Sequence, residues 1–453
     1  MIKIENDTIC ALSTAAGTGA IAIIRLCGKD SIKFSNSVIK CSPNLLSLDS
    51  KRLTRAKIYD DDSVLLDDIL VVVFRAPNSY TGEDMVEIYC HGSDYIVGRI
   101  LKIFLSKFRI AKKGEFTKRA FLNNKIDLTK AEAIGDLINS KNRYSHHSVI
   151  GQYTGKLFAE VKNILEKMTH IRVQFELEID FLEQDLEKIN LKKMRDSIEK
   201  IKKSLVELNE TSEDGMILRE GLLVVLVGEP NVGKSSIFNA FLQKERAIVT
   251  PYAGTTRDFL EEAISIEGFL IRLVDTAGIR DAQNYIEKLG IEKTIQQIKR
   301  AHIILNITDL ENIEKVKRAE NFFSAKGKIL NILNKSDLMN KADIYKFKKK
   351  GYTICSTKKK DGLKSIRKEL LFFLKKRKVN LDRGILTNSR HKSCVKNSIK
   401  FINKAINSID KNLGIEFTAF DLAQASVKLE EIVGTVSTDD ILNNIFNNFC
   451  IGK

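Results

Sequence analysis

The sequence predicts a multidomain chain: an N-terminal α+β domain, a discontinuous helical domain, and an inserted α/β domain with a mostly parallel sheet. Three observations predict it. Gly228-Glu-Pro-Asn-Val-Gly-Lys-Ser235 fits the phosphate-loop pattern G-x-x-x-x-G-K-[ST], between an apolar run at 222–227 and a helical pattern at 236–242. Further apolar runs at 269–274 and 328–333 each end in a polar segment, as strands of a parallel sheet do when loops at their ends carry chemistry. On either side of this stretch the hydrophobic period changes, from strand-like before about 118 to helical at 119–218 and again after 384.

Taken in order, residues 1–118 are expected to hold strands at 8–13, 20–25, 69–74 and 85–89. A helix is expected at 94–107, with Ile96, Ile100, Ile103 and Phe104 on its apolar face. Residues 119–218 form the first half of the helical domain. Within it Leu191, Met194, Ile198, Ile201, Leu205 and Leu208 repeat by threes and fours along one helix face. Residues 219–376 are the inserted domain, and 377–453 the second half of the helical domain. That last segment is short for a core of its own, so it is expected to pack on the first half.

Bulk properties narrow the class. At 453 residues and 43% hydrophobic the chain can bury several cores. It has no apolar run of about 18 residues and no signal peptide, which gives the expectation of a cytoplasmic protein without a membrane span. Seven cysteines without a C-x-x-C pair argue against a disulfide framework and a zinc site. The net charge of +16 favours an anionic partner, and residues 341–380 alone carry +12. That segment reads either as an RNA-facing surface or, more simply, as a solvated face. Its aromatics Tyr345, Phe347, Phe372 and Phe373 are spaced like core positions.

The motifs specify a Ras-like P-loop domain that binds a guanine nucleotide. In the phosphate loop the glycines let backbone N–H groups, with Val232 and Gly233 among the binding positions, turn toward phosphate. Lys234 supplies positive charge to the β- and γ-phosphates, Ser235 can ligate Mg²⁺, and Ser236 opens the helix behind them. Asp275-Thr276-Ala277-Gly278 follows a strand, placing a carboxylate near a Mg²⁺ water and an amide near the γ-phosphate. Asn334-Lys335-Ser336-Asp337 follows another. The Asp337 carboxylate can accept two hydrogen bonds from the guanine edge, where adenine has no such donor pair. Ser356, Thr357 and Lys358 stand where backbone contacts to the base would come.

In Ras-like enzymes a glutamine after the second motif positions the attacking water. Here that residue is Ile279. Glu287 is one candidate to orient the water. A monovalent cation meeting charge between the phosphates is another device, with the Asn231 side chain and carbonyls of the segment 250–256 as donors. Thr256 would then be the switch threonine on Mg²⁺. The bland alternatives are a solvated Glu287 and an Asn231 that only shapes the loop.

Blocks outside this domain carry a resemblance: Ser79-Tyr-Thr-Gly-Glu-Asp84, Val86-Glu-Ile-Tyr-Cys-His-Gly92, Gly114-Glu-Phe-Thr-Lys-Arg-Ala-Phe-Leu-Asn-Asn-Lys125, Asp127-Leu-Thr-Lys-Ala-Glu-Ala-Ile134 and Phe449-Cys-Ile-Gly-Lys453. Over its whole length the chain closely resembles the MnmE (TrmE) family of tRNA-modifying GTPases. The resemblance implies a homodimer, within a heterotetramer with a FAD- and NADH-dependent partner, MnmG (GidA). Together they place an aminomethyl or carboxymethylaminomethyl group on C5 of the wobble uridine of certain tRNAs. The one-carbon unit comes from a 5,10-methylene- or 5-formyl-tetrahydrofolate held by the N-terminal domain. It further implies folate contacts at Arg25, Glu87, Lys125 and Lys453. The implied K⁺ set is Asn231, Thr250, Tyr252 and Thr255, and the Mg²⁺ set Ser235 and Thr256. Glu287 matches the water-orienting glutamate, Arg280 follows the switch motif, and Cys450 stands as a nucleophile or as a packing residue. Ala15-Ala16-Gly17 departs from the family's Pro-Pro-Gly. The rival reading is a GTP-switched RNA-binding assembly factor of the Era or Der type. It would need a Gly-x-x-Gly RNA domain or a second nucleotide domain, and the sequence offers neither.

Overall fold

The computed structural model describes residues 7–60, 62–140, 142–180, 190–244, 260–275, 295–313, 327–377 and 383–453. They divide into two compact units. One comprises 1–138, 153–194 and 404–453; the other comprises 139–152 and 195–403.

The first unit is built on a seven-stranded sheet in the order β3-β4-β5-β6-β2-β1-β7. Its strands are β1 (Ile9–Leu12), β2 (Gly19–Cys27), β3 (Ile39–Lys40), β4 (Thr54–Tyr59), β5 (Leu65–Phe74), β6 (Met85–Gly92) and β7 (Arg109–Ile110). All pairs are antiparallel except β1 with β7. Successive side chains alternate between the two faces of a strand. One face buries Ile24, Leu26, Ile58, Val71 and Ile88 beneath helices α1 (Ser31–Val38) and α2 (Asp94–Leu105), which contribute Ile32, Ile100 and Phe104. The other face carries Arg25 on β2 and Glu87 on β6, directly opposite each other in the antiparallel register.

Four elements here escaped the sequence reading: α1, β3, β4 and β7. In β4 the buried Ala56 and Ile58 alternate with exposed Arg55 and Lys57, so no apolar run marks it. Strands β2, β5 and β6 are also longer than read, with β5 beginning at Leu65 rather than at 69, whereas β1 is shorter.

Helices α3 (Glu115–Leu122), α4 (Leu128–Asn139) and α6 (Lys156–Asp180) follow the sheet, and α12 (Ile415–Val433) and α13 (Asp439–Phe446) return to it. The α6 helix buries Leu157, Val161, Ile164, Met168, Ile171 and Phe175 on one stripe and packs on α12 through Leu422, Ala425 and Leu429. Beside the sheet, Arg119 on α3 is bound by Asp7, Glu83 and Glu115, and Arg109 by Asp7 and Glu115. Burial pushes the Glu115 carboxyl up, but the two arginines and the Lys112 N–H outweigh it and hold the group at about 2.

The second unit is the α/β domain with its supports. Strands β8 (Leu222–Val227), β9 (Leu260–Ile266), β10 (Phe269–Asp275), β11 (Ile303–Thr308), β12 (Lys328–Leu333) and β13 (Thr353–Ile354) pair in the order β13-β12-β11-β8-β10-β9. Every pair is parallel except β9 with β10. Strand β8 is buried along all six residues, which explains its unbroken apolar run: a central parallel strand is covered on both faces. Helices α8 (Lys234–Lys244), α9 (Lys341–Lys349) and α10 (Lys364–Lys376) belong to this domain. Beside them stand most of α5 (Arg143–Tyr153), most of α7 (Leu191–Glu220), and the first part of α11 (Ser389–Asp410). Tyr144 of α5 stacks on Phe269 with ring centroids 3.9 Å apart.

The aromatics of the basic segment divide. Phe347 is buried and Phe373 packs against the core, as their spacing predicts, whereas Tyr345 and Phe372 are about 60% exposed. Among the described residues no helix is long and apolar enough to cross a membrane.

Candidate functional site

The chain presents two candidate sites, one in each unit. In the α/β domain, strand register assembles the first. Asp275, the last residue of β10, pairs with Leu226 at the end of β8, so its carboxylate arrives beside the phosphate loop. There the Ser235 hydroxyl donates to Asp275 Oδ2 at 2.8 Å. A hydroxyl and a buried carboxylate in contact are the donor set of a Mg²⁺ site, one direct ligand with one acceptor for its water. Lys234, the first residue of α8, points back over the loop and donates to the carbonyls of Gly228 at 3.0 Å and Glu229 at 2.9 Å. Asn231 is exposed with a left-handed backbone (φ 62°), Val232 is buried, and Ser236 is exposed on α8.

The segment from Asn334 to Asp337 is tied to the loop at 228–235. Asn334 follows β12 and donates through Nδ2 to the Val232 carbonyl at 2.9 Å. This contact requires Gly233: a Cβ there would lie 2.2 Å from Asn334 Nδ2, at φ +96°. Lys335 sits in the left-handed region and its ammonium bonds Asp309 at 2.7 Å. Burial pushes the Asp309 carboxyl up, but Lys335 and Asn312 together draw it below its ordinary value. Asp337 accepts from the buried Ser356 hydroxyl at 2.5 Å, the main reason its carboxyl is held below the usual range. Thr357 is half-buried. The Lys358 N–H donates to Ser356 Oγ at 3.3 Å, and its ammonium stands 4.0 Å from Asp337.

The structure thus brings together Val232, Gly233, Lys234, Ser235, Asp275, Asn334, Lys335, Asp337, Ser356 and Lys358. Thr250, Tyr252, Thr255, Thr256, Thr276, Ala277, Gly278, Arg280 and Glu287 lie outside the described residues. Sequence reasoning missed Asp309. It directly follows β11, a strand that was not read, and only that strand would have marked the position after its end as one for chemistry.

The second site lies on the open face of the seven-stranded sheet. Arg25 donates through Nε to Glu87 Oε1 at 2.8 Å, with Nη2 at 2.7 Å from the same oxygen. The Tyr89 hydroxyl donates to Glu87 Oε2 at 2.9 Å. Tyr80 and Phe116 place their rings 5.8 and 5.5 Å from the guanidinium. The segment after α13 folds into this corner. Phe449 packs with Phe446 and Leu128, Gly114 N–H donates to the Cys450 carbonyl at 3.3 Å, and Phe116 N–H donates to the Lys453 carbonyl at 3.2 Å. The Cys450 side chain is exposed. Lys125 has a different partner: its ammonium donates to the Pro77 carbonyl at 2.8 Å on the surface. Ser13, Tyr80, Tyr89, Phe116 and Thr117 were not predicted. Tyr89 was findable, because it stands two residues after Glu87 on the same strand face.

Comparison with known proteins covers nearly the whole chain. The family model described as "GTP-binding protein TrmE N-terminus" matches residues 8–125, and the one described as "MnmE helical domain" matches 128–450. A Flavobacterium johnsoniae protein named tRNA modification GTPase MnmE is 37% identical over 472 residues, covering 99% of this chain and 100% of its own length. Proteins of the same name from Christiangramia forsetii (38%, 99% of each chain) and Aquifex aeolicus (37%, 99% of this chain and 100% of its own) align equally fully. Since both family models and these full-length relatives match across the N-terminal sheet, the helices and the inserted nucleotide domain, the chain belongs to the MnmE (TrmE) family of tRNA modification GTPases.

Proposed function

We propose that this GTP hydrolase of tRNA modification serves the wobble uridine, adding an aminomethyl or carboxymethylaminomethyl group at C5 together with the flavin-dependent MnmG partner. Its working form on this reading is a cytoplasmic homodimer within a heterotetramer. The observation that carries the reading is the meeting of the 450–453 segment with Arg25, which is itself paired with Glu87 on the N-terminal sheet. A segment of this kind would be expected to fray, yet its backbone is bonded into the fold.

The residues fit the groups the reading requires. Ser235 and Asp275 suit Mg²⁺, Lys234 the phosphates, and Asp337 the guanine edge. Thr256 would complete the magnesium set. Asn231 with Thr250, Tyr252 and Thr255 would hold K⁺, while Glu287 and Arg280 would act on the attacking water. On the sheet, Glu87 is a carboxylate fixed through both oxygens, suited to the amide and amino edge of a pterin. A bound tetrahydrofolate would supply the one-carbon unit. Lys453 would add positive charge for its glutamyl carboxylates, Lys125 would do so from the rim, and Cys450 would serve as the nucleophile. The boundaries at about 118, 218 and 376 belong to the same reading.

The test is deletion of residues 450–453. Wobble nucleosides in tRNA from cells carrying the truncated chain, measured by mass spectrometry, should lack the modification, while GTP hydrolysis by the purified protein stays within about twofold. Normal modification by the truncated chain would overturn the reading.

A further inference from the structure

The Gly452 carbonyl is the convergence point of the C-terminal segment. It accepts from Arg25 Nη1 at 3.3 Å and from the Ser13 hydroxyl at 3.1 Å. Gly452 itself has φ +91°, and a Cβ there would lie 2.2 Å from the Leu12 carbonyl oxygen. Only glycine lets the backbone lie this close to the β1–β2 turn. Arg25 is also the residue that fixes Glu87, so one guanidinium holds the acid with one edge and the segment with the other. Its rings, Tyr80 and Phe116, are held in turn: the Tyr80 hydroxyl bonds Thr117 at 2.9 Å, and the Phe116 N–H bonds the Lys453 carbonyl at 3.2 Å.

We propose that Ser13 and Arg25 are positioning residues that seat the 450–453 segment through the Gly452 carbonyl, and that this seat fixes where Cys450 stands relative to Glu87. The proposal rests on the reading of this corner as the one-carbon site and deepens it. Arg25 acts as a latch and an orienter of Glu87, with its donors turned to protein acceptors. Ser13 sits in the turn between β1 and β2, where its hydroxyl is the second hold on the same oxygen. The segment therefore has a defined seated state, and weakening the latch moves it without touching the nucleotide site.

The experiment uses the full chain and hydrogen exchange at the amides of Gly114 and Phe116, which donate to the seated segment. Ser13→Ala should raise exchange there about 3–10-fold, the effect of losing one ordinary hydrogen bond. Ser13→Thr, which keeps the hydroxyl, should restore the wild-type rate. Gly452→Ala should raise exchange further, toward the ceiling set by deleting 450–453, which removes both acceptors. GTP hydrolysis of the Ser13 variants should match wild type, and wobble modification should fall in the order of their exchange rates. Unchanged exchange in both Ser13→Ala and Gly452→Ala would overturn the latch. Faster exchange with normal modification would leave the latch standing and remove the segment from the active site.

Discussion

Replacing Asp337 by asparagine tests the base-reading geometry most directly. The guanine N1–H and N2–H₂ donors would meet a carboxylate, and a hydrogen bond to a charged acceptor contributes roughly 1.5–3 kcal/mol. Two such bonds give about 3–6 kcal/mol, or roughly 10²–10⁴ in affinity. The Asp337 side chain is 19% exposed, so solvent screening places the expected loss toward the lower end, about 10²–10³. The variant should not simply adapt by rotating its amide. Ser356 donates to Oδ1 and already accepts the Lys358 N–H, which favours the amide oxygen on that side. The amide nitrogen then faces the base donors. Xanthosine triphosphate, with a carbonyl at that edge, should bind the variant better than GTP. Displacement of a fluorescent nucleotide by GTP and by xanthosine triphosphate measures both affinities. Because the folded-state carboxyl is held below its ordinary value, wild-type GTP affinity should persist at pH 5 and fall only when acid protonates the group below its usual range. A variant that still prefers GTP would remove Asp337 from base recognition.

GTP turnover should be much faster in K⁺ than in Na⁺, and Asn231→Ala should abolish the difference; equal rates in K⁺, Na⁺ and choline would sink the cation reading. Glu287→Ala should lower turnover by about 10²–10³ with nucleotide affinity nearly unchanged, as for loss of one positioned catalytic group; an unaltered rate assigns Glu287 to the solvated surface. Glu115→Gln should destabilise the first unit by roughly 3 kcal/mol at pH 7, since the carboxyl is held from 4.5 down to about 2. That stabilisation is present above the ordinary value and is lost as pH falls through about 2, so thermal unfolding of variant and wild type should converge in strong acid.

What the sequence made legible followed from physical contrast. Strand β8 was read with its observed ends because a buried parallel strand is an unbroken apolar run bounded by polar loops, and β12, interrupted by Asn331, was read from the polar motif that follows it. Strand β4 was missed because Arg55 and Lys57 interrupt its apolar residues, and with β11 unread Asp309 could not be placed just after a strand. The phosphate and base motifs are local, so their residues were named before any contact was known. The bonds between them are not local: Asn334 to Val232 and Lys335 to Asp309 depend on sheet order, which no single motif encodes. Arg25 and Glu87 were named by resemblance, and pattern alone would have left a strand-end charge. Only the register of β2 against β6 turns them into a pair.

The two sites are held by different forces, and this decides how each responds to perturbation. In the nucleotide domain Gly233 makes room for the contact by which Asn334 holds the loop at 228–235, so the 334–337 segment and that loop form one mechanical piece. On the sheet, the segment that closes the site comes from the far end of the chain, 427 residues from Arg25. Its anchorage is mainly apolar. Phe446 and Phe449 are 2% and 8% exposed, and burying two phenylalanines contributes roughly 3–6 kcal/mol. The two hydrogen bonds on the Gly452 carbonyl contribute about 1 kcal/mol each. The phenylalanines therefore keep the segment at the sheet, and the hydrogen bonds choose its register there. A change at Phe449 should release the whole segment. A change at Ser13 should leave it docked but displaced, moving the Cys450 thiol two residues from the latch while leaving the fold intact.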